Sequence, residues 1–172
     1  MHFENLIQTR YSVRAYSDKD VQEEKLQAVL RAALMAPTAV NQQPFRFIVL
    51  STRGNENELR RVYKRDWLLQ APLVICACAA PDEAWSRMDG RNYADVDTVI
   101  AMDHLILAAT EQGLGTCWIA AFDPEAVREV FLLQENWEPI ALTPLGYAAD
   151  APKPKQRKSV QERVIFASQA KR

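Results

Sequence analysis

The chain has 172 residues, with 21 Lys and Arg against 22 Asp and Glu for a formal net charge of −1, and 48% of it is hydrophobic. That length supports one domain, taken as 1–172, with a substantial core, and the near-neutral balance provides no global field for gathering nucleic acid or an anionic membrane. No window approaches the roughly 20 apolar residues that a membrane span needs. The opening Met1-His2-Phe3-Glu4-Asn5 lacks a charged-then-apolar leader pattern, so a cytoplasmic protein is expected.

Taken in chain order, Glu4–Thr9 reads as a short helix. Val21–Met35 reads as a longer one, with Leu26, Val29, Leu30, Ala33 and Leu34 forming a core-facing stripe at helical spacing. Ala36-Pro37 ends it, because proline cannot continue the hydrogen-bond ladder. Phe45–Ser51 has the aromatic and β-branched content of a strand. Asn57–Trp67 reads as a charged surface helix, and Pro72–Ala80 as a buried strand. Cys76 and Cys78 alternate within that strand, which suits a core face better than a disulfide framework or a Cys-x-x-Cys redox pair. His2 and His104 are the only histidines and cannot by themselves build a histidine-based metal site.

Asp95–Gly113 is the longest predicted helix and is apolar over most of its circumference. Such a helix must be enclosed by its own domain, by a partner subunit, or by both. Asp97, His104 and Glu111 are spaced seven apart and form a polar stripe on it, read as a helix-face or interface network ahead of a proton relay. Gly113 and Gly115 supply its stop. Thr116–Ala121 reads as a strand, Asp123-Pro124 opens a short helix by N-cap and N1 proline, and Ile140–Tyr147 reads as another strand. The tail from Ala151 to Lys158 is basic, proline-rich and extended, and leads to a further candidate strand over Val160–Phe166. Strands separated by long connections and covered by helices place the class at α/β or α+β around one mixed sheet.

Four segments carry candidate chemistry. Arg10 and Arg14 flank Ser12, offering forked donors and a hydroxyl to one anion, in the geometry that suits phosphate; two solvated arginines beside a turn fit the same spacing. The loop Pro37-Thr38-Ala39-Val40-Asn41-Gln42-Gln43-Pro44 is dense in amides, which can read the edge of a flat heterocycle or bond back to their own backbone. Gly113–Phe122 runs from a helix end into a strand whose backbone N–H groups could face a ligand. Arg157 and Lys158 place cations in the extended tail. No Gly-x-Gly-x-x-Gly or Walker loop is present, so any nicotinamide cofactor is not held in a Rossmann crevice.

In order and spacing, these segments resemble the FMN-dependent nitroreductase family. The matching residues are Arg10-x-Ser12-x-Arg14, then Thr38-x-x-Asn41-x-Gln43-Pro44-Phe45. The long helix running into Gly113-Leu114-Gly115-Thr116-Cys117-Trp118-Ile119 follows, and then Leu145-Gly146-Tyr147 before the basic tail. The resemblance implies an α+β fold, a central mixed β-sheet wrapped by helices, in an intertwined homodimer. There the long helix packs at the interface, and the tail from residue 150 reaches the partner subunit, with exchange of a C-terminal strand.

By the same resemblance, Arg10, Ser12 and Arg14 hold the FMN phosphate and ribityl chain, with Arg157 and Lys158 closing over the phosphate. Pro37, Thr38, Ala39 and Asn41 come from the partner and line the isoalloxazine ring, while the backbone at Ile119, Ala120 and Ala121 passes its N5 side. Thr38 stands where serine is commoner, and Ala120 and Ala121 stand where Gly or a Glu-Gly pair is common. The chain also lacks the insertion that larger members place over the active site. The implied activity is ping-pong hydride transfer from NADH or NADPH through FMN to a nitroaromatic, quinone or similar electron-poor acceptor, with the flavin carrying the chemistry and no catalytic side chain. Two alternatives are an FMN-binding store or sensor without efficient turnover, and a specialised dehalogenating or flavin-fragmenting relative.

Overall fold

The computed structural model describes residues 2–167. Its helices are α1 (Phe3–Thr9), α2 (Glu23–Leu34), α3 (Glu56–Val62), α4 (Ala94–Glu111), α5 (Pro124–Val130) and α6 (Val160–Arg163); its strands are β1 (Phe45–Ser51), β2 (Leu73–Ala79), β3 (Gly115–Thr116) and β4 (Glu138–Gly146). The strands form one sheet in the order β1-β2-β4-β3. Every strand ladder in it is antiparallel. The mixed character expected of the sheet comes down, among the described residues, to one isolated parallel bridge between Ser12 and Thr116. The fold is α+β.

β2 is the centre of the packing, and its alternation decides which core each side chain enters. Ile75 and Ala77 point into a cluster with Val29 and Ala33 of α2 and Met102, Leu105, Ile106 and Ala109 of α4. Val74, Cys76 and Cys78 point to the other face, against Leu59 and Val62 of α3 and Ala126 and Val127 of α5. Both faces are therefore covered, which is why the strand reads as an unbroken apolar run. Cys76 and Cys78 are free, fully buried thiols with their Sγ atoms 3.4 Å apart, as expected for a core face. A register shift falls between Ala77 and Cys78 opposite Ala141 and Pro139, where a proline without an N–H is tolerated.

The expected helix over Val21–Met35 is α2, but its stripe is not uniform. Val29 and Ala33 are buried, Leu26 and Leu30 pack partly, and Leu34 is exposed. α4 buries Ala94, Asp97, Thr98, Ala101, Met102, Leu105, Ile106 and Ala109. Its Val99 remains exposed, as do Phe3 and Ile7 of α1 and Leu34 and Met35 at the end of α2; α1 and α2 both pack on α4. Lys25 of α2 donates its Nζ to the Gln112 carbonyl at 2.7 Å, capping the carboxyl end of α4.

Three expectations are corrected. The charged helix ends at Val62, and Asp66–Gln70 forms a separate 3-10 turn. The strand after Gly113 is only Gly115–Thr116, with an isolated bridge from Ile119 to Leu142 beyond it. Val160–Phe166 is not a strand: Val160–Arg163 is a helical turn, because Ser159 and Glu162 close a reciprocal capping box that starts a helix. Residues 168–172 lie outside the described part. Among the described residues no helix is long and apolar enough to cross a membrane.

Candidate functional site

Residues 10–17 leave α1 as an extended segment laid against the ends of β3 and β4. The Val13 N–H donates to the Thr116 carbonyl at 2.9 Å, Ser17 N–H to Tyr147 at 2.9 Å, and Ala149 N–H to Ala15 at 2.8 Å. Extended backbone alternates its side chains. Val13 is therefore buried at 1% exposure, while Ser12 and Arg14 face outward on the side Arg10 also occupies. Gly115 makes this close approach possible, since a Cβ there would stand 2.6 Å from Val13 Cγ2. Tyr16 is buried below, its hydroxyl donating to the Val13 carbonyl at 3.1 Å and its N–H to Gln70 Oε1 at 3.1 Å; burial pushes its pKa up.

The tail closes the other wall. Arg10, Ser12, Arg14, Asp150, Lys153, Lys155 and Arg157 line one open cavity of about 360 Å³. Five cations and one carboxylate surround it, a donor set suited to a phosphate dianion. Asp150 organises it: Tyr11 donates its hydroxyl to the Asp150 carbonyl at 2.8 Å and to Oδ1 at 3.2 Å, and Arg14 N–H donates to Oδ2 at 2.9 Å. Burial, then the charge and hydrogen bond of Asp150, push the Tyr11 hydroxyl above its ordinary range.

Lys155 donates its Nζ to the carbonyls of Ile7 (2.8 Å) and Gln8, so a cation sits on the carboxyl end of α1. Partial desolvation, then the Arg10 and Arg157 charges, hold its pKa below the usual lysine value. Burial pushes the Cys117 thiol up, against the opposing pull of Arg14, a Ser12 hydrogen bond and Arg10.

Of the residues singled out from sequence, Arg10, Ser12, Arg14 and Arg157 come together here. Lys158 does not line this cavity and pairs with Glu162 at 3.6 Å. Asp150, Lys153, Lys155 and Tyr11 were not anticipated. The lysines were visible as part of a basic tail, but the reach of Asp150 back to Arg14 leaves no local signal.

Pro37, Thr38, Ala39 and Asn41 lie elsewhere on the chain, in the loop joining α2 to β1. Thr38 Oγ1 accepts the Gln43 N–H at 3.1 Å, and Gln43 Nε2 donates to the Asn41 carbonyl at 3.2 Å. The amides thus bond within the loop, one of the two arrangements compatible with the sequence. Its backbone is unusual: Val40, Asn41 and Gln43 have φ of 45°, 61° and 54°. A left-handed conformation costs on the order of 1–3 kcal/mol for a non-glycine residue, and a β-branched side chain such as Val40 is a true outlier there. Val40 nevertheless projects its side chain into solvent at 71% exposure.

The polar stripe on α4 resolves unevenly. Asp97, 2% exposed, accepts the Ala39 N–H on Oδ1 at 3.1 Å, while its Oδ2 is buried without a partner. An unsatisfied buried carboxylate oxygen costs on the order of 1–3 kcal/mol or more, partly offset by the positive end of the helix dipole in whose first turn Asp97 lies. His104 is half-buried and Glu111 exposed. Of the remaining segment, Ile119 is buried against Leu142, with Ile119 N–H donating to the Leu142 carbonyl at 2.9 Å, whereas Ala120 and Ala121 are exposed.

Comparison with known proteins gives this arrangement its family. The Nitroreductase family matches residues 7–65 and 55–147. A Methanothermobacter thermautotrophicus protein named NADH dehydrogenase/NAD(P)H nitroreductase is 32% identical over 151 residues, covering 85% of this chain and 77% of its own. The crystal structure of a nitroreductase family protein from Clostridium difficile 630 superposes with a TM-score of 0.89 at 39% identity, covering 97% of this chain and 99% of the other. An FMN-dependent nitroreductase from Clostridium difficile R20291 superposes at 0.81 with 26% identity, over 96% and 99% of the two chains. The chain belongs to the nitroreductase family.

Proposed function

We propose that this protein is an FMN-dependent NAD(P)H oxidoreductase that reduces nitroaromatics, quinones or similar electron-poor acceptors. The observation that carries the reading is the cavity of Arg10, Ser12, Arg14, Lys155 and Arg157 in a nitroreductase-family chain. Its forked guanidiniums, hydroxyl and tail cations match the charge and oxygen geometry of a terminal phosphate. The names of relatives support the rest: one is named for NAD(P)H and another for FMN dependence. When bound, the flavin would supply hydride and electron transfer in a ping-pong cycle with NADH or NADPH.

The chain's own residues then bind, orient and shield. Arg10, Ser12, Arg14 and Arg157 would hold the phosphate, with Asp150 fixing Arg14 and Tyr11 in place and Lys155 pinning the tail that carries Arg157. Pro37, Thr38, Ala39 and Asn41 would line the ring of a partner's flavin, and the segment Ile119, Ala120 and Ala121 would supply backbone beside it, from Ala120 and Ala121 because the Ile119 N–H and carbonyl are paired with Leu142. That arrangement requires a homodimer. The exposed Phe3, Ile7, Leu34, Met35 and Val99, on three helices packed together, support one.

The test is the absorption spectrum of the purified protein before and after anaerobic addition of NADH or NADPH. Flavin bands that bleach and then recover with a quinone are expected. Bands that never bleach would favour a flavin-binding module. A colourless protein that also refuses added FMN would sink the proposal.

A further inference from the structure

We infer that Asp97 is a positioning residue: it holds the loop 37–43 in its ring-contacting shape by accepting the Ala39 N–H. The inference rests on the proposed FMN reading and concerns a residue outside the phosphate cavity. Three observations converge on it. Asp97 is buried from α4 at 2% exposure, and only one of its two carboxylate oxygens has a partner, which is Ala39 N–H at 3.1 Å. The loop that this bond anchors carries Val40, Asn41 and Gln43 at positive φ, a conformation that asparagine tolerates but that the β-branched Val40 adopts only where surrounding contacts impose it. The other bonds that fold the loop are internal to it, running from Gln43 to Thr38 and Asn41. Asp97 therefore supplies a tie from the loop to the helix beneath.

A carboxylate retained in the interior with an oxygen left bare is costly. Its worth lies in the conformation it imposes on the loop. Because the cost attaches to the charge and the benefit to one acceptor atom, asparagine should preserve the benefit: its Oδ1 can still accept from Ala39. Alanine cannot. Removing a hydrogen bond to a charged acceptor corresponds to about tenfold to a hundredfold in an equilibrium.

The experiment compares wild type, D97A and D97N in amide hydrogen exchange and FMN titration. In D97A, the Ala39 amide should exchange at least about tenfold faster, FMN affinity should fall by about tenfold or more, and the bound-flavin bands should move toward those of free FMN. D97N should restore all three. Should D97A not fold, A39P removes the donor instead. Thr38 is extended at φ −133° and ψ 158°, and Ala39 opens a 3-10 turn, so proline fits that backbone; the same loss of affinity and band shift is expected.

Unchanged Ala39 exchange in D97A, or faster exchange with unaltered flavin affinity and spectrum, overturns the inference. So does a D97N protein that behaves like D97A, because the charge, and not the acceptor atom, would then be the cause. Wild-type protein that takes up no FMN overturns the underlying reading instead. A fully loaded wild type with an equally loaded D97A overturns the positioning role alone.

Discussion

The Tyr11 hydroxyl reaches Asp150, 139 positions along the chain, and donates to both its backbone carbonyl and its carboxylate. With the Arg14 N–H on the second carboxylate oxygen, this one aspartate joins the two walls of the cationic cavity. Its effect on an anion has two signs. The hydrogen bonds preorganise Arg14, while the negative charge opposes the ligand.

Those two contributions separate by mutation. D150A loses both carboxylate ties, leaving only the Tyr11 bond to the backbone carbonyl, and should weaken FMN binding by about tenfold or more, the scale of lost charge-assisted hydrogen bonds. D150N keeps one side-chain acceptor for the Arg14 N–H, leaves Tyr11 its bond to the backbone carbonyl, and removes the repulsion, so it should bind at least as tightly as wild type. Fluorescence titration with FMN checks both; D150A binding as tightly as D150N would show that Asp150 does not order the cavity.

Arg10→Ala combined with Arg14→Ala should leave the fold intact, because neither side chain enters a core cluster. The protein should purify colourless. Circular dichroism and the flavin absorbance of the same sample decide it, and a yellow, fully loaded double mutant contradicts the phosphate assignment.

Gly115→Ala places a Cβ 2.6 Å from Val13 Cγ2 and 3.0 Å from Val13 Cβ. Overpacking of this kind typically costs about 1–3 kcal/mol, and here it pushes on the segment that carries Ser12 and Arg14. Both the melting temperature and FMN affinity should fall. A loss of stability with affinity untouched would mean that the strain relaxes away from the cavity.

Lys155 gives a pH dependence. Its folded pKa lies below the ordinary value of 10.5, from desolvation and then from Arg10 and Arg157. The folded state therefore disfavours its charge. That penalty is complete below the folded pKa and is relieved as pH rises toward the ordinary value. An anion in the cavity favours the charged form, so phosphate binding should take up a proton in this alkaline window and weaken as pH rises through it. Calorimetry with inorganic phosphate in buffers of different ionisation enthalpy reads the uptake, which K155M should abolish.

Much of the fold was legible because its signals are local. β1 spans Phe45–Ser51 as its composition predicts, and Asp123 caps α5 by accepting the Glu125 and Ala126 N–H groups at 3.1 Å. What was not legible depends on tertiary reach. Asp97 reads as one member of a stripe with His104 and Glu111, yet its partner is Ala39, 58 positions away. Val160–Phe166 has strand-like apolar content, but the capping box of Ser159 and Glu162 outweighs it. Arg14 and Arg157 were recognisable as cations, whereas Asp150 between them was not, since a lone aspartate before a proline-rich tail carries no pattern.

The order in which the chain is made has a bearing on when the cavity can exist. The last strand of the sheet ends at Gly146, whereas the cationic wall needs residues 150–157 to return to Arg10 and Arg14. A chain elongating from its amino end can pair all four strands before that wall is present. Capture of an anion by this cavity would therefore require the segment that follows the last strand, which the sheet itself does not need.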